Sequence, residues 1–171
     1  ELSQHCEQLF LYDKAQSILD KLSFAESSNI HVIQNYSDLK SLDLVLISSV
    51  SQYLVKSEFK KTLQGLLPLM SENGKIIIAD VIPFKNSILR EAIDLMKIAF
   101  KYKFLTKAIL KMIISYFGKY YRLRKQNPLT KYDYNSFKEM MQSPDLEISL
   151  EKSNIGLNHN RLTFVLRKVK I

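Results

Sequence analysis

"DLVLISSVSQYL", Asp43 to Leu54, decides how this chain is read. Asp43 to Val50 is rich in β-branched residues and too short for a helix, so it reads as a strong strand. In the following "KSEFKKTLQGLLPLM", Phe59, Leu63, Leu66, Leu67 and Met70 recur at helical spacing, with Ser57 placed as an N-cap. Pro68 falls near the end of that helix, where a break is tolerated. A turn at "SENG" then leads into "KIIIADVIP", a nearly continuous apolar run of the kind found in strands covered on both faces.

Outward from this centre the same rhythm continues. Upstream, Leu9 to Tyr12 reads as a short strand ending at Asp13, Lys14 to Leu22 as a helix, and Ile30 to Gln34 as a strand. Downstream, a helix near Tyr134 to Met141 precedes "LEISLEK" and "NRLTFVLRKVKI", two strands joined by a Gly/Asn-rich turn, Asn154 to Asn160. Two strands in succession pair as an antiparallel hairpin. Alternating strand and helix predicts an α/β fold with a mostly parallel sheet. With no internal repeat and no Pro/Gly linker, residues 1–171 are expected to form a single domain.

Composition narrows the class. The chain has 171 residues, 46% of them hydrophobic and 25% charged, enough for a sizeable core and unlike a disordered segment. A single cysteine, Cys6, excludes an internal disulfide framework, and no Cys/His cluster has metal-ligand spacing. Without an 18-residue apolar run or a basic segment leading into an apolar one, the expectation is a soluble, cytoplasmic protein.

The net charge of +8 has one source. From Lys97 to Lys131 there are ten Lys and Arg and no Asp or Glu, leaving 15 basic against 17 acidic residues elsewhere. On a helical wheel Lys97, Lys101, Lys103, Lys107 and Lys111 span one face, and Ile98, Leu105, Ile109, Met112 and Ile113 the other. Such a face is a solvated surface, a contact for an anionic small molecule, or a peripheral contact with an anionic membrane. No recognised RNA or DNA motif supports nucleic-acid binding.

The order of these elements resembles the class I S-adenosylmethionine-dependent methyltransferases of the small-molecule type. The matching text is "DLVLISSVSQYL" followed by "LPLMSENGKIIIADVIP", and the final strand pair resembles that family's antiparallel end. The resemblance implies a Rossmann-like sheet, mostly parallel, with an antiparallel C-terminal strand. It makes S-adenosylmethionine the expected cofactor and methyl transfer to an acceptor, an anionic small molecule or a lipid-like one, the expected activity, a reaction that needs no metal. It also makes 86–131 a basic helical lid over the acceptor.

Site residues follow from the resemblance position by position. Asp13, at the end of the family's second strand, matches the acid that accepts hydrogen bonds from both ribose hydroxyls; a carboxylate has two acceptor oxygens for a vicinal diol. Capping the helix from Lys14 is its structural alternative. After the next strand, Asn35 and Tyr36 match residues facing the adenine, Tyr36 otherwise covering the sheet edge. Ser48 matches a cofactor contact, and Gln52 and Tyr53 the wall shared with the acceptor, unless they serve only for capping and packing. Lys107 and Lys111 are the candidates for an anionic acceptor. Asp80 either orients an acceptor or serves a turn before Pro83. Neither His31 nor His159 is assigned as a general base, and Tyr120, Tyr121 and Tyr132 are candidates for pocket lining or packing.

One family feature is not found. The Gly-rich turn after the first strand has no counterpart among Gly65, Gly74, Gly118 and Gly156, while "ELSQHCEQ" looks like the end of the helix that follows that turn. The expectation is an N-terminally incomplete domain. In the family's strand order, 3-2-1-4-5-7-6, strands two and four would then lack their shared neighbour. The competing class is a non-catalytic methyltransferase-like module that docks through its basic helix on a membrane or a partner.

Overall fold

The structure, a computed structural model, describes residues 2–22, 27–85, 128–156 and 158–169. The chain divides into two compact units, 1–40 and 41–171.

In the first unit, β1 (Leu9–Leu11) leads into α1 (Gln16–Leu22) and then β2 (Ile30–Val32). The two strands pair in parallel, Leu9 opposite Ile30 and Leu11 opposite Val32, which the intervening helix permits. Asn29 braces the start of β2 by donating to the Ser3 carbonyl at 2.8 Å. Leu19 of α1 is the one fully buried side chain among the described residues of this unit.

The second unit contains β3 (Leu42–Ser48), α2 (Lys56–Leu66), β4 (Met70–Val81), α3 (Tyr134–Met140), β5 (Leu146–Leu150) and β6 (Leu162–Lys168). Its sheet has the order β3-β4-β6-β5, with β3 and β4 parallel and β6 antiparallel to both of its neighbours. The hairpin and the helix–strand alternation expected from sequence are both present. Ile76 and Ile78 lie opposite Leu166 and Phe164, so these four side chains share one face, and all are fully buried. Phe137 of α3 stacks on Phe164 at 4.4 Å, and Phe59 of α2 lies 6.5 Å from Phe137. The two helices therefore cover the same face of the sheet and close its core.

Two local expectations need correction. Ser57 is not the N-cap of α2: Val55 occupies that position in an extended conformation with no side-chain cap, and Ser57 lies in the first turn. "SENG" is not a turn ahead of the strand but part of β4. Pairing with β3 jumps there from Leu42 opposite Met70 to Leu44 opposite Lys75, which makes it a bulge. Gly74 is needed at this point because a side chain would meet the Leu42 carbonyl oxygen at 2.5 Å.

Candidate functional site

In open α/β sheets ligands gather beyond the carboxyl ends of the parallel strands. Asp13 lies two residues past β1, and Asn35 and Tyr36 lie past β2, so all three occupy that end of the first unit. One Asp13 carboxylate oxygen accepts from the Ala15 N–H at 2.8 Å, which turns the chain into α1. Asn35 makes the same kind of turn, its side-chain oxygen accepting from the Ser37 N–H at 3.0 Å. Tyr36 meets Tyr12 edge to face at 5.0 Å. Each residue thus has a local structural role, and the second Asp13 oxygen has no hydrogen bond among the described residues.

A denser arrangement occupies the corresponding end of the second unit. Ser49 and Asp80, just past β3 and near the end of β4, both have left-handed backbones, with φ of 58° and 59°. Such a conformation costs a non-glycine residue about 1–3 kcal/mol and persists where surrounding contacts enforce it. Here the contacts converge on the Asp80 carboxylate. Ser48 and Ser49 hydroxyls donate to one oxygen at 3.3 and 2.9 Å, and the Asn154 amide donates to the other at 2.7 Å. Asn154 in turn accepts from the Asp80 N–H at 3.1 Å and from the buried Thr163 hydroxyl at 2.8 Å.

Gln52 belongs to the same arrangement. Arg161 donates to its side-chain oxygen and, at 3.1 Å, to the Asp80 carbonyl, while the Gln52 amide reaches the Ser49 carbonyl at 3.4 Å. The side chain is 7% exposed. Ser48, Gln52 and Asp80 are therefore brought together, with the carboxylate enclosed by donors. Asn154, Thr163 and Arg161 were not singled out in the sequence; the cluster of Asn and Gly at 154–160 was the available signal, and it reads equally well as a plain connection.

Tyr53 faces elsewhere. It is 57% exposed and lines a cleft of about 500 Å³ together with Gln52, Val55, Lys56, Phe84 and Lys131. Tyr132, by contrast, is packing: it is fully buried against Phe59 and Phe137, and its hydroxyl has no hydrogen-bond partner among the described residues. Burial pushes its pKa up to about 12. Next to it, Asp133 caps α3 by accepting from the Ser136 N–H at 2.8 Å, and Ser136 holds its carboxyl below the usual range, with a smaller contribution from the Lys56 charge.

Of the remaining candidates, His31 stacks on Phe10 and bonds to Gln8, and His159 is exposed. Lys107, Lys111, Tyr120, Tyr121 and most of the 86–131 segment lie outside the described residues. Among the described residues no group of His, Cys, Asp and Glu is placed to hold a metal ion, and no helix is long and apolar enough to cross a membrane.

No family model matches the sequence, and no curated protein does. Solved structures do match in fold. LepI in complex with SAM superposes with a TM-score of 0.60 at 13% identity, over 95% of this chain and 36% of that one. PKMT2 from Rickettsia typhi gives 0.60 at 16% identity, over 96% and 44%. DhpI in complex with SAM and HEP gives 0.57 at 11% identity, over 97% and 71%. The chain thus spans less than half of LepI and PKMT2. These similarities establish the Rossmann-like, mostly parallel sheet with its antiparallel C-terminal strand.

Proposed function

We propose that this chain is part of an S-adenosylmethionine-dependent methyltransferase acting on a small-molecule acceptor. The observation that carries the reading is strand order. The two sheets, β2-β1 and β3-β4-β6-β5, correspond to 3-2 and 4-5-7-6 of the order 3-2-1-4-5-7-6, with the antiparallel strand in its place. Fold neighbours whose structures contain SAM support the same cofactor here.

The residues of the first unit fit the nucleoside half of that molecule. Asp13 keeps one carboxylate oxygen without a hydrogen bond among the described residues, available to a ribose hydroxyl, and Tyr36 offers an aromatic ring for the adenine beyond the same strand ends. Asn35 supplies both a donor and an acceptor to a base edge. In the second unit, taken by itself, Ser48 keeps its assignment as a cofactor contact, and Gln52 and Tyr53 theirs as the acceptor wall. Lys107 and Lys111 are assigned to an anionic acceptor.

When bound, the cofactor supplies a methyl group activated by its sulfonium. The protein's part is alignment, which lowers a two-reactant barrier by about 7–11 kcal/mol where the bound geometry is near attack.

Calorimetry on the full-length protein tests this reading. S-adenosylmethionine and S-adenosylhomocysteine should both bind at micromolar strength, and Asp13→Ala should weaken both by about 1.5–3 kcal/mol per lost bond. Absence of binding at millimolar ligand would defeat the reading. An Asp13→Ala variant of unchanged affinity would remove that residue from the site.

A further inference from the structure

We propose that the cleft beside α2 recognises a small acceptor carrying a carboxylate or phosphate on an apolar body, through Lys56 and Lys131. The cleft has a volume of about 500 Å³, within the range of small-molecule sites. Among the described residues, Lys56 and Lys131 are its charged lining residues and none that lines it is acidic. Two like charges facing one cavity repel each other, and an anion between them relieves that repulsion.

Asp133 offsets part of the Lys56 charge, which contributes to holding its carboxyl low, but its main partner is the N-terminus of α3, through the Ser136 N–H at 2.8 Å. Lys56 is also positioned. Its ammonium lies 5.5 Å from the centre of the Phe84 ring and 5.7 Å from that of Tyr132, both within cation–π range. Phe84 and Tyr53 are 49% and 57% exposed, so aromatic surface stands beside the cation without cover from the described residues. An apolar body against these rings with an acidic group at the lysines satisfies both features.

The cleft is also held open by hydrogen bonds between its walls. Thr130 donates its N–H to the Gln52 carbonyl at 3.0 Å and its hydroxyl to the Leu54 carbonyl at 2.7 Å. The Tyr132 N–H donates to the Ile82 carbonyl at 2.9 Å. Lys131 is thereby held between the segment that carries Gln52 and Tyr53, through Thr130, and Ile82, through Tyr132. Gln52 is itself clamped by Arg161, so the polar end of the cleft keeps one orientation.

Calling the ligand an acceptor rests on the methyl-transfer reading; the anion site itself does not. The test uses 2-naphthoate and its neutral amide, 2-naphthamide, titrated into the full-length protein and followed by naphthalene fluorescence, with S-adenosylhomocysteine titrated in parallel. Naphthoate should bind at least tenfold more tightly than the amide. Lys56→Gln and Lys131→Gln should each reduce naphthoate affinity about fivefold while leaving the amide unchanged, and amide NMR shifts should move at Phe84 and Thr130. Equal affinity for acid and amide, or for wild type and both variants, overturns the assignment even if S-adenosylhomocysteine binds. Discrimination that holds without S-adenosylhomocysteine binding supports the anion site and counts against the methyltransferase reading. Lysine-dependent binding to phosphatidylglycerol vesicles without naphthoate binding also overturns it, in favour of a surface contact.

Discussion

The two units of the chain are built to different standards. Residues 1–40 pair two strands of three residues each and bury one side chain among those described, whereas the described residues of 41–171 interlock four strands and two α-helices around Phe59, Phe137, Phe164 and their aliphatic neighbours. A two-stranded pair is marginal by itself, since it removes little apolar surface from water. Conformational stability is therefore concentrated in the second unit, while the residues assigned to the nucleoside lie on the first. Under the proposed function, the residues assigned to the nucleoside therefore sit on the part with the weaker core.

The strongest way to break this contrast is to remove the centre of the larger core. Phe137→Ala leaves a cavity beside Phe164 and should cost about 3–5 kcal/mol in a denaturant titration. Amide exchange in β4 and β6 should accelerate by orders of magnitude while that in β1 and β2 changes little. Equal acceleration in both units would show them to be one cooperative body.

A smaller effect is expected at the Asp80 junction. Asp80→Ala removes the acceptor for Ser48, Ser49 and Asn154 and leaves a residue with a Cβ but no compensating bond at φ 59°. It should cost about 2–3 kcal/mol. Asp80→Asn keeps an oxygen acceptor and tolerates the left-handed backbone, so its cost should be less than half as large. If the two variants melt alike, the carboxylate's charge and not the turn is what matters.

The smallest effect sharpens the picture of the core. With its pKa raised to about 12 in the folded state, Tyr132 keeps its proton where an unfolded tyrosine begins to lose one, near 10. Its contribution is fully present below about pH 10 and is lost as pH rises towards 12. Tyr132→Phe should abolish that alkaline loss in urea melts at pH 8 and pH 11. Because its hydroxyl is without a described hydrogen bond, the variant should also gain about 1 kcal/mol at neutral pH. Destabilisation instead would mean that the hydroxyl serves a bond the core needs.

What the sequence made legible follows the range of the interaction. The strands were readable because Val45, Ile47 and Ile76 to Ile78 belong to short aliphatic and β-branched runs, a local signal, although only Ile76 and Ile78 of these are fully buried and β3 is half exposed. The terminal hairpin was readable from the same short-range pattern. The "SENG" bulge was not, because it exists only as a mismatch against β3, a strand about thirty residues away. Nor was the Asp80 cluster, whose bonds to Asn154 span 74 positions. The sequence offered Asp80 two roles, a contact for the acceptor or a turn, and the structure supplies the left-handed turn with its carboxylate enclosed by protein donors. Lys56 was read as part of an amphipathic helix, and its place in the cleft depends on Phe84 and Lys131, which no local pattern links to it.

Gly156 has a consequence for how this protein can vary. Any side chain there would overlap the Asp80 carboxylate, because the backbone of the final turn runs directly against it. The two positions are consequently coupled: Gly156→Ala requires the Asp80 carboxylate to move out of its hydrogen bonds, and costs less once position 80 carries a smaller side chain. The order in which these two positions can change is thus constrained by the close fit between one carboxylate and one turn.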